Sequence, residues 1–295
     1  MKKFLALGLG CVLTASLFTG CGEKVETSAP APEVKVVKLG VIKHLNEEES
    51  NINSRTKEIN ERINAQIGQE TPLHEIQFYP NFSTMQMALE SGKIDEIDVY
   101  QPVADYLILK NPNMEIFENH VPISKEFSNN ICCAFRAEDT ELKATVDNVI
   151  TEMKNDGTLD NFVKTYIIDL KADEEPPAVA FENFDGAKTI KVAVTGDLPP
   201  LDYVSADGKA AGFNTAVLSE LGKRLQKNIE VIQIESAARA TTLTSKKADI
   251  IFWALVPSNE VVGASLLPAD ADKPEGIELS TPYYNAAVVH IGLKK

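Results

Sequence analysis

The sequence predicts an α/β protein with two lobes, each a mostly parallel sheet flanked by helices. Two blocks, residues 36–170 and 187–295, each alternate short apolar strands with amphipathic helices, which is typical of parallel α/β layers. An acidic, Pro-containing stretch, residues 171–186, separates the blocks and is interpreted as a linker. A chain of 295 residues with 44% hydrophobic content is long enough to form two cores.

The first block opens with a strand over residues 36–42 and an amphipathic helix whose isoleucines recur with helical spacing. Gly157 separates the two helices that close the block. Between these elements we expect strands over residues 76–79, 94–100 and 131–135, and a short helix capped by Ser83.

The second block has the same alternation, with a hairpin-like turn at Asp207 and Gly208. Its last strand, residues 248–256, is strongly apolar and is expected at the centre of a sheet. The other predicted elements are strands over residues 190–194 and 229–234, a helix from about Asn214 and a short helix over 237–247.

The N-terminus has the pattern of a bacterial lipoprotein signal. Lys2 and Lys3 precede an apolar stretch of about 15 residues, too short for the roughly 20 that span a membrane, and small residues lead to Cys21. We expect a signal peptide over residues 1–20, lipidation of Cys21 and a tether over 21–35. The mature protein would then be extracytoplasmic, lipid-anchored to the outer face of the cytoplasmic membrane.

Charge and motif content exclude several function classes. The formal net charge of −14 is spread along the chain, so a nucleic-acid partner is not expected. Cys132 and Cys133 lie in an apolar run and are expected to be small buried side chains, not a disulfide framework. The four histidines show no paired metal spacing, and the sequence has no Gly-rich phosphate loop, so neither a metal site nor a cofactor is predicted.

A series of short motifs carries a family resemblance. The second block contains, in order, Pro200, the Asp207-Gly208-Lys209 turn, Gly212-Phe213, Ala248-Asp249 and the run from Ser280 to Tyr284. This order is similar to the first lobe and first hinge of bacterial extracellular solute-binding proteins of family 3, of the polar amino acid type. The first block resembles the later part of the same family through residues 79–82, 91–93, 102–104 and 111–112.

The two parts therefore stand in swapped order, as in a circularly permuted chain. The resemblance implies a two-lobed, periplasmic-binding-protein-like fold of type II. Lobe II would comprise residues 36–127 plus 286–295, lobe I residues 128–170 plus 187–285, and residues 171–186 would join the old termini. Two partial copies that complete each other by dimerisation are the alternative; we favour one chain acting as a monomer.

The resemblance also implies a function. Such proteins are the substrate-binding subunits of ABC importers, and they capture a small-molecule ligand between closing lobes for a membrane permease. The family's carboxylate-binding Arg and ammonium-binding Asp fall at Val261 and Tyr100 in this chain. Because a buried charge without a partner costs several kcal/mol, an ordinary zwitterionic amino acid is not the expected ligand.

The candidate ligand-binding residues are mainly aromatic. Aromatic faces suit a flat or apolar ligand or a cation, although Trp253 fits a core strand as well as a site. Polar candidates come from family positions and from a loop before a helix. The set comprises Tyr100, Trp253, Tyr203, Phe82, Ser258, Glu260, Thr195 and His44.

Two other classes of function remain open from the sequence. The missing charged anchors are compatible with an accessory or sensory lipoprotein that keeps the fold with a degenerate site. A dehydratase-like enzyme on the same fold would need one acidic group in the cleft, such as Glu260, but no neighbouring motif activates it.

Overall fold

The computed structural model describes residues 36–42, 57, 61, 64–65, 72–117, 128–205, 207–257 and 275–294. The predicted signal peptide, the lipidation site Cys21 and the tether lie outside these residues. The described residues all belong to one compact unit, Val34–Lys295.

The described residues form thirteen strands. Those of the first block are β1 (Val36–Ile42), β2 (Leu73–Tyr79), β3 (Glu96–Tyr100), β4 (Met114–Ile116) and β5 (Ser128–Arg136). Those of the second block are β6 (Thr189–Val194), β7 (Asp197–Leu198), β8 (Asp202–Val204), β9 (Ala210–Ala211), β10 (Asn228–Gln233), β11 (Ile250–Pro257), β12 (Ile277–Leu279) and β13 (Tyr284–Leu293).

Helices pack on these strands, and all but α2 lie where the sequence predicts a helix. Most of the predicted isoleucine-rich helix of the first block lies outside the described residues. The helices are α1 (Phe82–Glu90), α2 (Gln101–Lys110), α3 (Thr140–Asn155), α4 (Thr158–Val163), α5 (Phe213–Leu225) and α6 (Arg239–Thr244). A π-helical turn, Lys164–Ile168, extends α4, and a 3₁₀ turn, Ser236–Ala238, precedes α6. None of the helices in the described part of the chain combines the length and the apolar character needed to cross a bilayer.

The sheet consists of two halves with the same strand arrangement. In the first half, parallel strands run in the order β2-β1-β3, followed by antiparallel β13 and short β4. In the second half, the parallel order is β10-β6-β11, followed by antiparallel β5 and short β12. The prediction of mostly parallel α/β layers is confirmed.

Each half receives its antiparallel strand from the other block. The strand β5 belongs to the first block but pairs with β11 in the second half. The strand β13 belongs to the second block but pairs with β3 in the first half. The two exchanged strands also pair with each other, from Tyr284↔Ile131 to Ala287↔Ser128. This pairing makes a double-stranded connection between the halves.

Local sequence signals account for most element ends. Gly157 has a positive φ of 79° and separates α3 from α4, as expected. The helix α1 differs from the prediction, because its cap is Asn81, not Ser83: the Asn81 side chain accepts a hydrogen bond from the Thr84 backbone N–H at 2.9 Å. Cys132 and Cys133 are buried free thiols, as predicted.

The predicted linker packs along the second half. Gly212 N–H donates to Pro177 O at 3.2 Å, and Ala178 forms a β-bridge with Ala211 in β9. The same stretch also contacts the first half, since the Glu175 carboxylate accepts a hydrogen bond from Tyr106 Oη at 3.0 Å and pairs with Lys110 Nζ at 2.9 Å on α2.

Replacing Gly212 with Ala should strongly destabilise the fold. Gly212 has φ 89° and ψ −178°, a region that only glycine readily adopts, and an added Cβ would lie 2.5 Å from Pro200 O. We expect Gly212→Ala to cost about 3 kcal/mol in urea unfolding. The control is Gly208→Ala, where φ is 79° but the space is open; it should cost only about 1 kcal/mol. Equal losses in the two variants would contradict this account.

Candidate functional site

Two predicted aromatic residues meet where the sheet halves come together. Tyr100 ends β3 in the first half, and Trp253 lies in β11 of the second. Their rings form an edge-to-face contact with centroids 5.9 Å apart and an interplanar angle of 87°. We call this contact and its surroundings the lobe junction, defined by Tyr100, Trp253, Asp197, Ser236 and Arg239.

Trp253 owes its position to a β-bulge. In the pairing of β11 with β5, Phe252 is opposite Cys133 and Ala254 is opposite Cys132, so Trp253 is the extra residue between them. Bulges disturb the strict alternation of side chains and turn one of them in a new direction. The apolar run of β11 gave no sign of this irregularity.

A buried arginine lies over the Trp253 ring. Arg239 in α6 has 1% exposure, and its Cζ is 4.8 Å from the ring centroid, which is a cation–π distance. Its Nη1 donates to Trp253 O at 3.0 Å and its Nε donates to Ser236 O at 3.1 Å. The sequence analysis did not select Arg239, because nothing in the threonine-rich sequence of this short helix indicates that its arginine is buried.

Asp197 links the second half to the first through the start of α1. Its carboxylate accepts hydrogen bonds from the backbone N–H groups of Phe82 and Ser83, the latter at 3.2 Å. Burial nevertheless raises the pKa of Asp197 above its ordinary value, because desolvation outweighs these hydrogen bonds. A second backbone contact joins the halves: Ser236 N–H donates to Pro80 O at 3.0 Å.

A second carboxyl group, Asp202, lies deep beside this junction. Its Oδ2 accepts hydrogen bonds from Thr195 N at 2.9 Å, Thr195 Oγ1 at 2.8 Å and Gly196 N at 3.0 Å. Burial is the largest influence on this group, and it raises the pKa of Asp202 to about 6. Thr195, predicted as a ligand contact, therefore has its hydroxyl engaged in holding Asp202.

The remaining predicted residues divide into two groups. Tyr203 is half-buried on β8 and pairs across the strands with Asp197, while Phe82 is buried and its N–H binds the same carboxylate. The structure thus brings Tyr100 and Trp253 together, and Phe82 and Tyr203 around Asp197. Ser258, Glu260 and His44, with the family anchor position Val261, lie outside the described residues.

A surface depression of about 490 Å³ lies elsewhere. It is lined by the linker at Ala178 and Phe181, by Lys209, and by Val231 of β10. None of the predicted ligand-binding residues lines it. At the lobe junction the end of β3 meets β11 just beyond its parallel pairing with β6. The junction remains the candidate site because α/β folds place their ligands where the strands of parallel sheets end.

Residues 190–260 match the family model of bacterial extracellular solute-binding proteins, family 3. The match confirms the resemblance for this segment. It spans β6 to β11, and therefore includes Asp197, Asp202, Arg239 and Trp253. No curated protein matches the chain.

Solved structures with similar folds are distant in sequence. The zinc-bound ligand-binding component of an ABC-type import system from Staphylococcus aureus is 12% identical, with a TM-score of 0.43, 88% of this chain covered and 66% of that one. The GluR0 ligand-binding core from Nostoc punctiforme with L-glutamate is 12% identical, with a TM-score of 0.38 and coverage of 87% and 84%. An ABC transporter periplasmic substrate-binding protein from Coxiella burnetii is 12% identical, with a TM-score of 0.38 and coverage of 88% and 84%.

The present chain thus spans just under two thirds of the length of the first of these structures. The TM-scores and identities are low. Conclusions about function therefore rest on the family match and on the geometry of this chain.

The raised pKa of Asp202 predicts a specific pH dependence. Because the folded-state pKa of about 6 lies above the ordinary 3.8, the protonated form stabilises the fold, and that stabilisation is lost as the pH rises from about 4 to about 6. Asp202→Asn removes this titration. The measured quantity is the unfolding free energy of the variant minus that of the unmodified protein, from urea unfolding. This difference should rise by roughly 3 kcal/mol between about pH 4 and about pH 7.

The control for this titration is Asp207→Asn. Asp207 is exposed, and its hydrogen bond with Lys209 lowers its pKa to about 2, below the tested range. Its difference from the unmodified protein should stay constant between the two pH values. A constant difference for Asp202→Asn as well would refute the assignment.

Asp197 is predicted to act as a neutralisable hydrogen-bond acceptor at the start of α1. Asp197→Asn keeps an acceptor for Ser83 N–H without a charge to desolvate, so it should leave the free energy of unfolding unchanged or raise it. Asp197→Ala removes the acceptor and should lower that free energy by about 1 kcal/mol. Urea unfolding at neutral pH measures both, and equal losses would argue against the helix-start contact.

Proposed function

We propose that this protein is the substrate-binding lipoprotein of an ABC importer, capturing a small solute between two closing lobes. The observation that carries this proposal is the match of the β6–β11 segment to the solute-binding family. The double-stranded connection between the sheet halves and the aromatic junction at their meeting edge support it.

The strand exchange suits a binding protein that signals by closure. Two halves connected by β5 and β13 can rotate about these strands while each keeps its own parallel sheet. A ligand that touches both halves adds contacts only when they are together, so it shifts the equilibrium toward the closed form. A permease can then distinguish the loaded receptor from the empty one, and no covalent chemistry is required.

The chemistry of the junction favours a flat or cationic solute. Tyr100 and Trp253 are only 7% and 2% exposed, so their aromatic faces would become available to a ligand when the halves separate. Asp197 is a partly buried carboxyl whose pKa is raised because desolvation outweighs its backbone hydrogen bonds. A cation would relieve that desolvation. The overall charge of −14 also attracts cations. The one arginine of the junction, Arg239, already donates to two backbone carbonyls, so a ligand carboxylate gains less from it.

We assign the lobes and the permuted order on the same basis. Residues 36–127 with 286–295 form lobe II, residues 128–170 with 187–285 form lobe I, and residues 171–186 are the linker. The family match falls in the second half of the chain, and both halves have one strand arrangement, so a chain can begin in either half and reach the same fold. One such chain would be complete as a monomer.

The cellular setting follows from the N-terminal pattern. Lipidation at Cys21 would tether the protein by residues 21–35 to the outer face of the cytoplasmic membrane. The partners would be a small-molecule ligand and the membrane permease of the importer.

A second candidate is an accessory or sensory lipoprotein with a degenerate site. It is favoured by contacts that the junction already makes with itself: Asp197 binds the start of α1, and Ser236 binds Pro80. In a degenerate site, such internal contacts would replace those made with a ligand.

Ligand binding should change the fluorescence of Trp253. Trp253 is the only tryptophan in the chain and lies at the lobe junction, so its emission reports on that contact directly. The full chain, purified in detergent, would be titrated with amino acids, their derivatives, polyamines, nucleosides and aromatic metabolites. We expect a shift with a solute that lacks the zwitterion, and stabilisation by roughly 2.7 kcal/mol at about 100 times its Kd.

Matched variants separate site effects from general destabilisation. Tyr100→Leu should abolish the response, whereas Tyr166→Leu, which removes an aromatic ring packed on Phe162, should preserve it. A response to an ordinary amino acid would overturn the ligand assignment. No response to any compound would favour the accessory lipoprotein.

A further inference from the structure

A buried group of three metal-binding side chains lies in the first sheet half, apart from the lobe junction. His74 is on β2, Glu96 on β3 and His290 on β13. Their exposures are 6%, 3% and 7%. One potential ligand atom from each lies within 4.8 Å of the other two.

The sheet register explains why these three side chains meet. His74 is opposite Val37 and Glu96 is opposite Leu39, and since side chains alternate along β1, both point to one face. His290 is opposite the residue two positions after Glu96 in β3, which lies on the same face. The donors lie on β2, β3 and β13, which β1 joins into one hydrogen-bonded sheet, so the arrangement is rigid before any ion binds.

Two of the three donor distances match those in a metal site, and the third, between the two imidazole nitrogens, is within 4.8 Å. His74 Nε2 is 3.5 Å and His290 Nδ1 is 3.4 Å from the same oxygen, Glu96 Oε2. Charge-assisted hydrogen bonds are shorter, about 2.7–2.9 Å. A tetrahedral zinc site with bonds of about 2.0–2.1 Å separates its ligand atoms by about 3.3–3.4 Å. The imidazole rings stand edge to face at 4.6 Å between centroids.

We propose that His74, Glu96 and His290 bind a divalent transition-metal ion, with zinc as the best match. Two imidazoles and one carboxylate form a donor set used for zinc and other first-row metals. The set contains no thiolate, so it does not favour metals that prefer thiolate ligands. Three protein donors leave one tetrahedral position for a water molecule or a further donor. The ion would offset the cost of burying a carboxylate beside two imidazoles.

The ion would have a defined mechanical effect. His290 lies three residues after Ala287, the last residue of β13 that pairs with β5. Metal binding would therefore fix the exchanged strand β13 to β2 and β3 of the first half, close to the connection between the halves. The sequence spacing of the histidines could not predict this site, because its donors are joined only by strand pairing.

The test is metal binding by the full-length, tag-free protein in detergent, after chelator treatment and with excess Mg²⁺ to occupy surface carboxylates. Calorimetric titration with ZnCl₂ should give one site per chain and a higher Tm. Titration with CoCl₂ should give the intense visible absorption of a four-coordinate ion, displaced by zinc. No stoichiometric binding to the unmodified protein would overturn the proposal.

Variants locate the site. Glu96→Gln and His290→Asn should each weaken zinc binding by at least about 100-fold, since the loss of a second-shell group alone can cost that much. The control is Glu75→Gln, the same change at an exposed residue that neighbours His74 but points to the other face; its affinity should be unchanged. Tight binding that survives both site changes would refute the assignment.

If a site variant fails to fold by circular dichroism, X-ray absorption of the zinc-loaded unmodified protein still decides. Two imidazoles and a carboxylate around the ion support the proposal. A shell of oxygen ligands without imidazole overturns it.

Discussion

The pairing of β5 with β13 is the constraint on which the rest of the molecule depends. Each strand leaves its own block, crosses to the other half and becomes the antiparallel member of a sheet built there. Neither half is complete without a strand from the opposite block, so both must fold together. The apolar side chains of the two halves also form one continuous cluster, which includes Ile97 of the first half and Val192 of the second. The halves therefore share a core as well as a connection.

The same connection explains the chemistry at the meeting edge. The bulge in β11 arises in its pairing with β5, and it turns Trp253 toward Tyr100 and Arg239. On the second-half side Asp202 is enclosed and Asp197 partly so, and desolvation raises the pKa of each carboxyl. Aromatic surface and neutralisable acids suit recognition by stacking and by charge.

Local patterns predicted much of this fold. The alternation in residues 36–42, the Gly157 break and the apolar spacing of α5 act within a few residues, and each element formed as predicted. Features set by strand register were not predictable. The bulge at Trp253, the contact of Asp197 with Ser83 and the grouping of His74 with His290 depend on residues up to 216 positions apart. Thr195 was selected from a family position, but its hydroxyl serves a buried carboxylate that no motif indicated.

The path of residues 171–186 has a consequence for motion. This segment lies along β9 in one half while Glu175 reaches Tyr106 and Lys110 in the other. The two halves are therefore connected at three places, by the strands β5 and β13 and by residues 171–186. The Glu175 carboxylate is solvent-exposed, so each of its contacts is worth only about 0–1 kcal/mol and can break and re-form readily. These contacts therefore add a small, salt-sensitive energy barrier to separation of the halves, but they do not prevent it.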